Sequence, residues 1–187
     1  MAKVRSLCVY CGSSAGGDPR YSALAEAAGA EIAARGLRLV YGGAETGLMG
    51  VCARAALRGG GQVLGVIPEF LIPVEGAEPG VTLRKVATMA SRKAMMIAEA
   101  DAFLILPGGA GTIEEVFDLI AQRRLGLEAK PVAFLDATYW APMRAVLEHL
   151  HAEGFAPPAL TDAFTFAEDA TSAIEALCAG APESAPR

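Results

Sequence analysis

At 187 residues the chain is long enough to bury one substantial core, and 53% hydrophobic against 20% charged residues excludes disorder over most of its length. A formal net charge of -5 and a pI near 5.1 exclude a general electrostatic attraction to nucleic acid or anionic membrane, so any anion site has to be local. No run reaches the roughly 18 apolar residues of a membrane-crossing helix, and Met1-Ala2-Lys3-Val4-Arg5 lacks the apolar stretch of a secretory leader, which predicts a cytoplasmic protein.

In chain order, residues 4–10 form an apolar strand that runs into Cys11-Gly12-Ser13-Ser14-Ala15-Gly16-Gly17, a turn rich in hydroxyls and accessible amides. Asp18-Pro19 opens a helix in which Tyr21, Leu24, Ala25, Ala28 and Ile32 recur at helical spacing as far as Gly36. Strand 37–41 leads into a second glycine turn, Gly42-Gly43-Ala44-Glu45-Thr46-Gly47, and a helix over 48–57. Strand 62–67 stops at Pro68, and residues 73–80 form a turn-rich connection whose acids, Glu75 among them, belong on a loop. After a short strand at 81–86, residues 88–100 are apolar on nearly every side and predict a buried helix. Arg92 shares a face with Met89 and Met96, and on a buried face it needs an anionic partner, either a structural carboxylate or a bound phosphate.

Strand 102–106 then meets Pro107-Gly108-Gly109-Ala110-Gly111-Thr112-Ile113-Glu114-Glu115, which opens a helix over 113–125. Glycines let a backbone approach a ligand closely, and the first amides of a helix are unpaired donors at its positive end, so a phosphate is the expected guest. Glu115 lies one turn further in, where a carboxylate would face a sugar; Thr112 to Glu115 also fits a capping box, a purely structural use of the same spacing. Strand 131–135, helix 140–151, strand 163–166 and helix 172–178 follow, and 181–187 reads as a flexible tail after one domain over 1–180.

Alternating strands and helices predict an α/β domain with a mainly parallel sheet, helices on both faces and ligands at the carboxyl ends of the strands, where all three glycine turns fall. Cys8 and Cys11 form a C-x-x-C without a second pair, and Cys52 and Cys178 stand alone, so all four read as core thiols. His149 and His151 point to different faces of their helix and belong on the surface; no metal or cofactor is expected. Gly47 is followed by Leu48-Met49 rather than Lys and a hydroxyl residue, which excludes a P-loop, and no G-x-G-x-x-G follows the first strand, which excludes the dinucleotide fingerprint. A mononucleotide remains.

The stretch Pro107 to Glu115 resembles the PGGxGTxxE signature of the LONELY GUY (LOG) family of cytokinin-activating phosphoribohydrolases. Cys11-Gly12-Ser13-Ser14, Tyr41-Gly42-Gly43, Gly47-Leu48-Met49-Gly50, Val66-Ile67-Pro68, Met89 with Arg92-Lys93, and Leu125-Gly126-Leu127 with Lys130-Pro131 resemble it in order and spacing. The resemblance implies a Rossmann-like doubly wound fold, a homodimer or larger assembly that completes each pocket across the interface, and hydrolysis of a nucleoside 5'-monophosphate to free base and ribose 5-phosphate. It implies Arg92 and Glu115 as the catalytic pair, with substrate contacts from Glu75, Met89, Arg92, Lys93, Gly108, Gly109, Ala110, Gly111, Thr112, Ile113 and Glu114. Gly12, Ser13, Ser14, Gly42 and Gly43 complete the expected pocket. Ala90-Ser91 stands where many members carry a polar pair such as His-Glu, which bears on base preference. The old label of lysine decarboxylase looks mistaken, because nothing in the chain resembles a pyridoxal phosphate site. A general purine monophosphate nucleosidase and a non-catalytic carrier of a phosphorylated cofactor, such as molybdenum cofactor, are the competing readings. The assembly is expected to use the helix at 88–100 and the one beginning at 113.

Overall fold

The computed structural model describes residues 3–157, 160 and 163–180; the expected tail at 181–187 lies outside them. Strands and helices alternate: β1 (Ser6–Tyr10), α1 (Pro19–Ala34), β2 (Arg38–Tyr41), α2 (Gly47–Arg58) and β3 (Val63–Pro68) come first. A 3-10 turn (Glu69–Leu71), the short α3 (Ile72–Glu75), β4 (Thr82–Val86), α4 (Met89–Glu99), β5 (Ala102–Ile105) and α5 (Ala110–Arg124) follow. β6 (Val132–Leu135), α6 (Ala137–Ala152), β7 (Phe164–Ala167) and α7 (Ala170–Ala179) complete the order. The seven strands form one sheet in the order β4-β3-β2-β1-β5-β6-β7, every pair parallel. This is the expected Rossmann-like doubly wound arrangement, and the order reverses at β1, between β2 and β5.

Side chains alternate across each strand, which divides the core in two. Leu7, Val9, Leu39, Tyr41, Leu104 and Leu135 face one side and pack under α1, α2 and α7. Cys8, Tyr10, Val66, Phe103, Ile105 and Phe134 face the other and pack under α4, α5 and α6. Continuous apolar strands are what a parallel sheet covered on both faces requires. Asp18 caps α1 by accepting the Arg20 amide at 2.9 Å, with Pro19 in the first turn and Gly36 in the left-handed region just beyond its end, as the sequence predicts.

Several expectations are corrected. The helix at 88–100 is not buried all round: only Arg92 and Met96 are fully buried along α4, because the sheet covers one side, and Met89 is 41% exposed. Thr112 and Glu115 form no capping box, since Gly109 is the N-cap of α5 and Thr112 already lies inside its first turn. A reciprocal cap is found instead at Thr88 and Ser91 of α4. Glu75 is on α3 rather than in a loop, and α6 begins at Ala137, capped by Asp136, rather than at Trp140. Cys8, Cys11 and Cys52 are buried free thiols, whereas Cys178 is exposed on α7, whose other face carries the packing contacts.

Candidate active site

The loops after β1, β2 and β5 are joined by backbone hydrogen bonds at the carboxyl edge of the sheet. The Gly12 amide donates to Pro107 O at 3.0 Å, Leu48 N donates to Gly12 O at 3.0 Å, and Glu45 N donates to Glu75 O at 3.1 Å. The three glycine turns therefore share one region, as expected from their place after parallel strands. Their glycines do two different jobs. A side chain at Gly42 would lie 2.0 Å from Arg92 Nη2, one at Gly47 would lie 2.3 Å from the Ser13 carbonyl carbon, and one at Gly108 would lie 2.1 Å from Thr112 Oγ1. Those glycines admit protein atoms. Gly17, Gly109 and Gly111 instead face open space.

The open glycines leave room for a ligand at this edge of the sheet. No side chain caps α5, so the amides of its first turn are left at the positive helix end beside the exposed backbone of Gly109, Ala110 and Gly111. A cavity of about 310 Å³ adjoins this turn, lined by Gly12, Ser14, Gly17, Gly109, Tyr21 and Tyr139 among others. The size suits a phosphorylated sugar at the helix start. Ser13 packs its backbone against Gly47, is itself exposed and does not line this cavity.

Arg92 is only 6% exposed, and of the two anions expected for it the structural carboxylate is not found. Nε donates to Val66 O at 3.1 Å and Nη2 to Gly42 O at 2.8 Å; no carboxylate pairs with it among the described residues. Two carbonyls, Val66 O within β3 and Gly42 O just after β2, thus hold the guanidinium in a fixed orientation without a direct ion-pair partner among the described residues. Met49 and Met89 sulfurs lie 3.9 Å from its nitrogens.

Glu115 is half-buried on the inward side of α5, and burial pushes its carboxyl up to about 7; the Arg92 charge works against that rise, Glu114 adds to it and Lys93 opposes it. A carboxyl poised near neutrality beside a fixed guanidinium can carry charge or a proton in the working range of most enzymes. The remaining expected contacts divide. Lys93 bonds to Glu114 and lies 3.5 Å from Asp118, an α4 to α5 cross-link, and the bond to Glu114 raises its affinity for its proton. Glu75 Oε2 is buried without a partner close to the β2 loop, Thr112 is buried against Gly108, and Ile113 is 38% exposed. Gly43 packs on Ile67. Among the described residues no cluster could hold a metal ion, and His149 and His151 are exposed.

Sequence reasoning missed Tyr21 and Tyr139. Tyr139 follows Asp136 by three residues at the carboxyl end of β6, and that position was the available signal for a residue on the ligand edge of the sheet.

The fold and the site define a parallel α/β protein with an uncapped helix start at the carboxyl edge of its sheet and, nearby, a glutamate that feels the charge of a buried arginine. Residues 49–177 match the family described as "Possible lysine decarboxylase". The chain is 45% identical over 176 residues to the cytokinin riboside 5'-monophosphate phosphoribohydrolase of Rhodococcoides fascians, covering 92% of this chain and 89% of that one. It is 38% identical over 178 residues to a protein of the same name from Arabidopsis thaliana, covering 94% and 84%. The chain belongs to this family, the LOG family that its glycine motif resembles. Among solved structures, the molybdenum cofactor carrier protein of Chlamydomonas reinhardtii superposes with a TM-score of 0.70 at 22% identity, over 91% of this chain and 94% of that one. The molybdenum cofactor binding protein of Rippkaea orientalis gives 0.69 at 20%, over 94% and 95%. These two share the fold.

Proposed function

We propose that this protein is a phosphoribohydrolase that cleaves the N-glycosidic bond of cytokinin riboside 5'-monophosphates, releasing the free base and ribose 5-phosphate. The observation that carries the reading is the half-buried Glu115, held near neutrality beside the carbonyl-anchored Arg92 and one turn inside a helix start with free amides. The phosphate sits on the first turn of α5, which brings the ribose towards Glu115. As the bond from C1' to the base nitrogen breaks, its electron pair leaves with the base and positive charge grows on the ribose; an ionised Glu115 stabilises that charge. Water then attacks C1', its proton passing to Glu115 and from there to the departed base, so that Glu115 ends ionised. Arg92 keeps Glu115 ionised more readily than burial alone would allow.

Kinship favours the hydrolase over the carrier, because the identity to phosphoribohydrolases is twice that to the carriers. We read the active unit as a homodimer or larger assembly in the cytoplasm, where nucleotides and free thiols such as Cys8, Cys11 and Cys52 are found. Met89 on α4 and Ile113 and Phe117 on α5 are exposed apolar residues around the catalytic pair, and a second copy would cover them. Light scattering of a fully active monomer at nanomolar concentration would overturn that assembly.

The direct test incubates purified protein with AMP and with isopentenyladenosine 5'-monophosphate and measures free base and ribose 5-phosphate by chromatography. Release from the prenylated nucleotide in clear preference to AMP supports the proposal. Equal release from both would make it a general purine monophosphate nucleosidase, and tight binding without release would make it a carrier.

A further inference from the structure

Tyr139 holds the Gly108 carbonyl: its hydroxyl donates to Gly108 O at 2.6 Å, directly beside the open turn of the anion cradle. The Gly108–Gly109 peptide is planar, so its carbonyl and the Gly109 N–H lie on opposite edges. Flipping that peptide would exchange a donor for an acceptor next to a bound anion. Glycines on both sides make the flip sterically cheap, so the loop does not fix itself.

Tyr139 is itself fixed from behind. Its amide donates to Asp136 Oδ1 at 2.9 Å, and Asp136, 3% exposed, is the sole non-glycine residue with a positive φ, 73°, among the described residues. That conformation costs energy and persists because neighbours over-determine it. The Asp136 amide donates to Ala167 O on β7 at 2.9 Å, and its second carboxylate oxygen lies 3.2 Å from Arg20 Nη2 on α1. The Tyr139 ring also meets Tyr21 edge to face at 5.5 Å. Two other elements, α1 and β7, thus hold the start of α6 that carries Tyr139.

We infer that Tyr139, oriented by Asp136, is a positioning residue that sets the phosphate cradle by holding the Gly108–Gly109 peptide, and so tunes recognition of the 5'-phosphate rather than of the base. The inference rests on the phosphoribohydrolase reading for the identity of the ligand. Tyr139→Phe keeps the ring and its packing and removes only the hydroxyl. Titration calorimetry should show affinity for ribose 5-phosphate falling about tenfold, the scale of one lost hydrogen bond to a backbone carbonyl. Competition by adenosine, which carries no phosphate, should change by less than about twofold if the effect is confined to the cradle, and KM for AMP should rise more than kcat falls. Asp136→Ala should repeat the phosphate-selective loss, since it frees the start of α6. A lower melting temperature for Tyr139→Phe with unchanged ribose 5-phosphate affinity, or an equal loss for adenosine, would make the hydroxyl merely structural and overturn the inference. Wild-type protein that fails to bind ribose 5-phosphate would overturn the hydrolase reading and this inference together; wild-type binding that Tyr139→Phe leaves intact overturns only the latter.

Discussion

The two faces of the sheet are built for different purposes. Under α1, α2 and α7 the core is closed: Gly29 of α1 lies so near α2 that a methyl there would sit 2.2 Å from Cys52 O, and none of the large exposed hydrophobic residues falls on these three helices among the described residues. Under α4, α5 and α6 the face carries buried Arg92, half-buried Glu115 and exposed Met89, Ile113, Phe117 and Val146. One face lowers the free energy of the fold. The other tolerates a buried guanidinium without an ion-pair partner among the described residues, a carboxyl held away from its ordinary range and apolar surface open to solvent, each of which costs stability and each of which adjoins the proposed chemistry.

That division can be broken from either side. The largest effect should come from Gly42→Ala, whose methyl would occupy the place of Arg92 Nη2 and press on the Met49 sulfur 2.8 Å away. Base release should fall by roughly 100-fold, as for loss of one preorganised electrostatic group, in steady-state assays. Gly29→Ala should act on the closed face alone, lowering stability by about 1–3 kcal/mol through overpacking while turnover per folded molecule stays unchanged, measured by urea unfolding and active-site titration. The smallest effect is a dependence on pH. Because burial raises the Glu115 carboxyl from 4.5 to about 7, the folded protein binds that proton more tightly than the unfolded chain does. Its contribution to stability is therefore full below about 4.5, declines as pH rises to about 7 and is absent above it. Thermal melting from pH 5 to 8 should show Glu115→Gln gaining on the wild type as pH rises.

How much of this could be read from sequence follows from what each residue reports locally. Apolar runs ending in glycine turns announce strands whose carboxyl ends meet, and the three loops do meet. Helical spacing gave the caps of α1 at Asp18 and Gly36 because Pro19 and the glycine act on their own neighbours. A glycine does not report what fills the space it leaves: Gly42 serves Arg92 and Gly108 serves Thr112, whereas Gly17, Gly109 and Gly111 face open space. Likewise a buried arginine shows its charge in the sequence, whereas the carbonyls of Val66 and Gly42 that satisfy it carry no residue-specific mark. The spacing of Thr112 and Glu115 imitates a cap because helix α5 starts earlier than its apolar pattern, while the reciprocal cap at Thr88 uses Ser91 in place of the usual glutamate. The position of Tyr139 after β6 places it on the ligand edge, but its bond to Gly108 depends on Asp136, whose left-handed backbone no pattern announces.

In the proposed reaction Glu115 performs the chemistry while the start of α5 performs the binding. Glu115→Gln preserves size and hydrogen bonding but cannot ionise, so it separates the two. Measured side by side, AMP affinity by calorimetry should stay within about threefold of wild type if binding is untouched, whereas release of base from the preferred nucleotide should fall by about 100-fold or more. Wild-type turnover in Glu115→Gln would contradict the account, because the site would then cleave the glycosidic bond without the carboxylate.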